Sequence, residues 1–427
     1  MKIPPVKGTR DFYPQQMAVR NFLLDGWKAA SLRNGFEEFD GPIFEYLQMF
    51  KIKSGDEIVE QLFSLTDRGG RELAIRPEIT PTLARMVNQQ INSLPRPIKW
   101  FSLPRLCRAE RPQKGRLREF FQWNIDIIGI DDVLADAEVI FTTLDYLHSA
   151  GLTAKDIQAR ISSRKLLAEL LKNIGVAANR LDSLYPVLDK KAKLPQEAFE
   201  ATLKEKVGDA KIAEIILKLM EVDSPEHIAD IVDLNAEAQP ALDEVRRTFD
   251  LLETMGVLDY CTFDMSIVRG LAYYTGIVFE VHDITGDLRA VCGGGRYDNL
   301  LKDFGGPSIP ATGMGMGDCV LEILLRRKKL LNDDLPTQQT EYFVACLDDR
   351  FSRDALKLTA KIRLTGHAAA FSYKATGLGK QLKQASSQNA RQCIIIGQEF
   401  ASGELVVKDM ATGEQQNVKM EDFLSSL

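Results

Sequence analysis

The sequence predicts a large α+β unit with a helical insertion, then a linker, then a small α/β unit. Three observations carry this expectation. Short β-branched runs joined by turn residues occupy the first 160 or so residues and return after about residue 258. Between about 162 and 258, leucine and isoleucine recur at helical spacing, with lysine and glutamate on the other faces. After residue 340, strand and helix patterns alternate. The expected boundaries are 1–330 for the large unit, 331–340 for the linker and 341–427 for the small unit.

Composition narrows the class. A chain of 427 residues is too long for one ordinary core. Hydrophobic content of 45% and charged content of 27% are those of a globular protein. The net charge of −6 means that any contact with nucleic acid rests on local basic patches. The six cysteines are scattered without a CxxC pair, so reduced thiols in a cytoplasmic protein are expected, not a disulfide framework. The four histidines are equally dispersed, and no metal centre built by protein alone is expected. The opening Met1 to Gly8 lacks an apolar core, and no run approaches roughly 18 apolar residues, so neither export nor a membrane span is expected.

Taken in order, Pro14 suits the first turn of a helix whose stripe is Phe22, Leu23, Trp27, Ala30 and Leu32, with Asn34-Gly35 as its stop. Such a helix packs on its own core or forms a dimer face. Phe63–Asp67 and Glu72–Arg76 read as a hairpin around Gly69-Gly70. Glu78 and Thr80, two apart in an extended segment, could capture an ammonium group or cap the following helix.

The stretch Arg105–Asp126 is the densest in chemistry, with five arginines and a lysine. Pro112 and Gly115 turn the chain, and the run from Trp123 to Ile130 reads as a strand. Strand, basic loop and strand would hold several guanidiniums over one surface. Guanidiniums offer bidentate forks suited to phosphate, and Phe120 offers a flat face for a base.

Leu134–Ala150 reads as a helix. Strand character returns at Cys261–Val268, before Arg269 and the pair Tyr273-Tyr274, which could line a polar pocket. Gly293–Gly295 lets backbones approach closely. Gly313, Gly315 and Gly317 alternate along a strand that enters a helix at Val320, leaving room for a flat ligand above them. No Gly-Lys-Ser/Thr follows, so this is not a Walker loop. In the small unit, Lys374, Lys380 and Lys383 could touch RNA.

Assembled, these stretches resemble the histidyl-tRNA synthetases, a family of class II aminoacyl-tRNA synthetases. Lys7–Asp11 is similar to the family's opening, and Gly35–Glu45 to its dimer-forming motif 1. Arg108–Gln122 resembles motif 2, and Gly313–Gly317 the glycine part of motif 3. Arg76–Thr80 and Arg269–Tyr274 resemble two histidine-specific motifs. The resemblance implies an antiparallel sheet flanked by helices, a helical insertion and a C-terminal anticodon-binding domain.

It also implies roles. L-Histidine and ATP would give histidyl-adenylate and pyrophosphate, and the histidyl group would pass to the 3′ end of tRNA(His). Arg108 and Arg269 would be catalytic. Glu78, Ile79, Thr80, Gln122, Asp126, Tyr273 and Tyr274 would join them in binding histidine. Arg108, Glu110, Arg116 and Phe120 would bind ATP, with Mg²⁺ on its outer phosphates. A cytoplasmic homodimer is implied.

Three positions depart from the commoner pattern: Asp126 stands for glutamate, Ala272 for aspartate, and Val320 for the motif 3 arginine. The last leaves two alternatives, the regulatory subunit of ATP phosphoribosyltransferase and a module that only binds tRNA. Intact Arg108, Glu110, Gln122 and Arg269 favour the ligase.

Overall fold

The computed structural model describes residues 3–52, 62–191, 194–269, 273–332, 334, 335, 337, 340–374 and 376–427. Gly270–Ala272, and with them the departure at Ala272, lie outside the described residues, as do parts of the 331–340 linker. The chain forms two compact units, residues 1–333 and 334–427.

The first unit is built on one sheet. Its spatial order is Glu37–Glu38, Ile98–Ser102, Glu119–Ile128, Ala311–Gly317, Cys292–Arg296, Ile277–Asp283, Ile157–Ser163 and Cys261–Phe263. The pairings are antiparallel through the interior and parallel at both edges. Arg105–Cys107 adds a short antiparallel partner to the start of Glu119–Ile128. The basic stretch is thus the strand, loop and strand that its sequence predicts.

Sequence alternation decides what each face of the long strand does. Trp123, Ile125 and Ile127 point to one face. There Trp123 stacks on Trp27 of the helix Pro14–Arg33 at 6.4 Å between ring centroids, and meets Tyr146 of the helix Val133–Ser149 edge-on at 5.4 Å. The Trp123 indole donates to the Ser31 hydroxyl at 2.8 Å, so the one polar atom of this buried ring is satisfied. Such ring pairs add roughly 0.5–1.5 kcal/mol beyond burial. The other face carries Phe120, Gln122, Asn124 and Asp126.

A second, three-stranded sheet joins Phe44–Tyr46 to the hairpin Phe63–Thr66 and Glu72–Ile75. Buried Arg76 leaves it and donates to Asp40 at 2.6 Å and to the Gly41 carbonyl at 2.8 Å, fixing the strand exit. The helix Thr80–Gln89 starts without a side-chain cap, so Glu78 and Thr80 are not spent there. Among the described residues of 162–258, the chain forms helices Arg164–Asn173, Leu181–Leu188, Gln196–Val207, Ala210–Leu219 and Ala238–Thr254. The last is tied to the start of Val133–Ser149 by Arg247 and Asp132 at 2.9 Å. The strand expected over Cys261–Val268 ends at Phe263. Asp264 then accepts from the backbone and hydroxyl of Ser266, and the local turn outcompetes the ladder.

The second unit has its own sheet, ordered Ala369–Phe371, Tyr342–Cys346, Gln392–Ile396, Glu404–Asp409 and Gln415–Lys419. The first three strands are parallel and the last two antiparallel. Alternation again sorts residues: Val344, Ile394 and Ile396 join Leu358 and Ile362 of one helix, while Phe343, Cys393 and Ile395 join Ala385 of another. Two cores sandwich one sheet.

Candidate active site

A cleft of about 730 Å³ opens over the polar face of the central strands. Phe120 and Gln122 line it from the long strand, and Gly315 and Gly317 from its neighbour. The glycines make room for side chains. A Cβ at Gly313 would stand 2.1 Å from Asp126 Oδ1, and one at Gly315 would stand 2.9 Å from Gln122 Nε2. A Cβ at Gly293 would stand 2.7 Å from Arg269 Nη1. The space expected for a ligand above Gly313 and Gly315 is therefore taken up in part by the side chains of the next strand.

Two arginines face the cleft from opposite sides. Arg108 donates to the Pro77 carbonyl at 3.1 Å and lies 5.3 Å from the Phe120 ring centre. Burial pulls its guanidinium down from the ordinary range, and the negative charge of Glu78 works against that. Arg269 stands at φ 59°, a conformation that costs a non-glycine residue roughly 1–3 kcal/mol. Buried Arg164 steadies it, donating to the carbonyls of Val268 at 3.2 Å and Arg269 at 3.1 Å.

The Arg269 side chain is ion-paired with Glu280, whose other oxygen meets His282 Nε2 at 2.9 Å. Burial alone would push the Glu280 carboxyl up. Arg269 and His282 outweigh burial and hold it at about 2. The ion pair with Glu280 holds the Arg269 guanidinium in place at the cleft wall.

The basic loop is braced by the start of the chain. Gly8, at φ 88°, accepts at its carbonyl from the Arg118 amide at 2.8 Å, and a Cβ there would stand 2.7 Å from Pro112. Arg10 reaches Asp318 at 2.5 Å, and Asp318 accepts the Phe121 amide at 3.0 Å. Glu110 and Arg116 form an ion pair across the loop.

Behind the cleft lies a tyrosine-lined recess. Tyr273 packs on Tyr274 at 5.0 Å and on Tyr297 at 5.8 Å, and its hydroxyl donates to Glu78 at 3.4 Å. Tyr297 donates to Asp126 Oδ1. Burial raises both Tyr273 and Tyr297 well above the usual phenol range, so they are neutral donors. Burial also pushes Asp126 up to about 7, against the pull of the Tyr297 bond. Asp126 Oδ2 is buried and has no hydrogen-bond partner among the described residues, and an unmet buried acceptor of this kind calls for a donor.

Of the residues singled out from sequence, Arg108, Glu110, Arg116, Phe120, Gln122 and Arg269 line the cleft. Glu78, Asp126, Tyr273 and Tyr274 form the recess, and Ile79 is wholly buried in the apolar cluster under it. Thr80 opens the adjacent helix. Sequence reasoning missed Tyr297, Glu280, His282 and Arg289. Glu280 and His282 are two apart in an apolar strand, a period-two signal that marks them. Tyr297 lies 171 positions from its partner Asp126, a pairing only the fold reveals. Among the described residues, no three His, Cys, Asp or Glu side chains converge as a metal site. Cleft carboxylates Glu110 and Glu280 are committed to guanidiniums.

The family model described as histidyl-tRNA synthetase matches residues 8–317, and the one described as anticodon binding domain matches residues 341–427. The chain is 40% identical to the chloroplastic/mitochondrial histidine–tRNA ligase of Arabidopsis thaliana, over 99% of this chain and 86% of that one. It is 37% identical to the histidine–tRNA ligase of Halobacterium salinarum, over 98% and 96% respectively. In fold it is similar to the crystal structure of histidyl-tRNA synthetase from Nostoc, with TM-score 0.81 at 23% identity over 100% and 99% of the two chains. A Bacillus halodurans protein described as an ATP phosphoribosyltransferase regulatory subunit/histidyl-tRNA synthetase shares the fold at TM-score 0.75 and 24% identity, over 92% and 98%. With most of its length matched by that family model and nearly all of it aligned to such ligases, the chain belongs to the histidyl-tRNA synthetase family.

Proposed function

We infer that this chain is a histidine–tRNA ligase that activates L-histidine with ATP and transfers it to tRNA(His). The observation that carries the reading is the presence of two cleft arginines together with a buried carboxylate, Asp126, whose Oδ2 has no donor among the described residues. In this reading Asp126 Oδ2 accepts the imidazole N–H, and the neutral Tyr273 hydroxyl, with the Tyr274 ring beside it, completes a recess that an apolar side chain leaves unsatisfied. Glu78, Thr80 and Gln122 take the α-ammonium group.

The histidine carboxylate attacks the α-phosphate of ATP, forming the acyl–phosphate bond as the bond to pyrophosphate breaks. Arg108 and Arg269 meet the α-phosphate from two sides and stabilise the charge that grows there. Phe120 stacks on adenine, and Glu110 and Arg116 bind the nucleotide. Mg²⁺ would accompany ATP as part of the substrate, and the cleft carboxylates Glu110 and Glu280 are themselves paired with arginines. Positioning and electrostatics carry the step, and no activated side-chain nucleophile takes part.

Within this reading residues 1–330 form the catalytic domain, with its helical insertion at about 162–258. Residues 341–427 contact the anticodon, with exposed Lys374, Lys380 and Lys383 as candidates. A homodimer is supported by apolar side chains exposed on the three-stranded sheet, Phe44, Tyr46 and Leu65, and by Ile43 just before it. A cytoplasmic location is supported by six free thiols and by described helices that are none of them long and apolar enough to cross a membrane.

The test is exchange of labelled pyrophosphate into ATP with each amino acid in turn. Exchange with histidine alone is expected. A protein that binds histidine yet catalyses no exchange, and that joins a phosphoribosyltransferase, would instead be the regulatory paralogue that Val320 leaves open.

A further inference from the structure

We propose that Arg289 is a nucleotide-binding residue that grips the outer phosphates of ATP, supplying from a hairpin the positive charge that Val320 withholds. This rests on the reading that the cleft takes ATP.

Arg289 sits in the turn between the strands Ile277–Asp283 and Cys292–Arg296, and it lines the same cleft as Arg108, Arg269 and Val320. Three other guanidiniums there are paired with carboxylates, and Arg108 is held by the Pro77 carbonyl. Arg116 is paired with Glu110, Arg269 with Glu280, and Arg160 with Asp264 at 3.5 Å. Among the described residues Arg289 has no carboxylate at ion-pair distance. The nearby carboxylate of Asp287 faces Arg327 instead, at 3.8 Å. Arg289 repels Arg108 across the cleft, adding to the burial that pulls Arg108 down. Two cations facing one cleft, one of them without a counter-ion, favour an anion between them.

The position at 320 cannot supply this charge. Val320 is nearly buried, and the turn of the basic loop lies on it: a Cβ at Gly115 would stand 3.0 Å from Val320 Cγ2.

The hairpin is anchored well enough to aim a side chain. Buried Asp283 at its base accepts from the Thr285 hydroxyl, and its carbonyl accepts the Gly286 amide at 2.9 Å. The same carboxylate lies 3.9 Å from Arg327 on the helix that carries Val320. The charge lost from that helix is thus offered by a loop tied to it. A guanidinium fork suits two non-bridging phosphate oxygens.

Binding of ATP and of AMP to the full chain, measured calorimetrically beside the Arg289→Ala and Arg289→Lys variants, tests this. AMP lacks the outer phosphates and also reports that each variant is folded. Arg289→Ala is expected to weaken ATP by about tenfold or more while AMP stays within about twofold. Arg289→Lys should fall between. Unchanged ATP binding in Arg289→Ala, or equal loss of ATP and AMP, overturns the assignment. An unmodified chain that binds neither nucleotide overturns the ATP reading itself.

Discussion

Asp126 concentrates the chemistry of the recess in one side chain. Its carboxyl titrates near 3.8 in an unfolded chain and at about 7 in the fold, because burial disfavours the charged form. Between those values the folded state holds a proton that the unfolded state has released. Its contribution is therefore fully present below about pH 4 and is lost as pH rises through about 7, a difference on the order of 4 kcal/mol. Asp126→Asn removes this dependence and keeps an acceptor for Tyr297. We expect the variant's thermal midpoint to vary less between pH 5 and pH 8 than that of the unmodified chain, and its histidine affinity to fall. A variant with the same pH slope would show that Asp126 is ionised throughout. The side chain itself was legible through the family resemblance, whereas the strand read from sequence began at Trp123 and left Phe120 and Gln122 outside it. What it needs was not: its partner Tyr297 reaches it from 171 positions along the chain.

At the scale of elements, paired strands lend each other space. Glycine is required in Ala311–Gly317 and Cys292–Arg296 because neighbouring side chains and backbones cross there, and the demand differs sharply by position. A Cβ at Gly294 would stand 2.1 Å from the Gly313 carbonyl oxygen, a backbone atom that cannot swing aside. A Cβ at Gly317 would meet nothing within 4 Å. Gly294→Ala is therefore expected to cost about 3 kcal/mol or more, and Gly317→Ala within about 0.5 kcal/mol. Chemical denaturation of both variants measures the contrast; similar midpoints would mean that the ladder yields at Gly294. The alternating glycines were evident in sequence, whereas the identity of what fills their space depends on register, Gly313 opposite Asp126 and Gly315 opposite Asn124. The strand overextended to Val268 shows the opposite failure, a local Asx turn hidden inside an apolar-looking run.

At the scale of the molecule, the two units keep separate cores, and the family matches fall on either side of the 331–340 stretch. Removing the residues after Lys329 keeps every residue of the large sheet, the cleft and the tyrosine recess. The shortened chain is expected to retain histidine-dependent pyrophosphate exchange within a fewfold and to lose most of its charging of tRNA(His). Charging at the full rate would take anticodon contact away from the second unit. This division was readable in advance because polar, proline-containing sequence separates two hydrophobic periodicities. Nothing in those periodicities discloses that Gly8 and Arg10 return to brace the basic loop, since that contact spans more than a hundred positions.

The stacked rings behind the long strand have a use beyond holding it. The chain has three tryptophans. Trp27 and Trp123 are sealed under the strand whose other face carries Gln122 and Asp126, and Trp100 is the cross-strand neighbour of Asp126 itself. Trp100 and Trp123 thus sit on the strands that carry the site, and Trp27 one ring further back, in surroundings that differ from ring to ring. Intrinsic emission becomes a label-free optical gauge of occupancy, with Trp100 answering to the amino acid and the sealed pair supplying a steadier baseline.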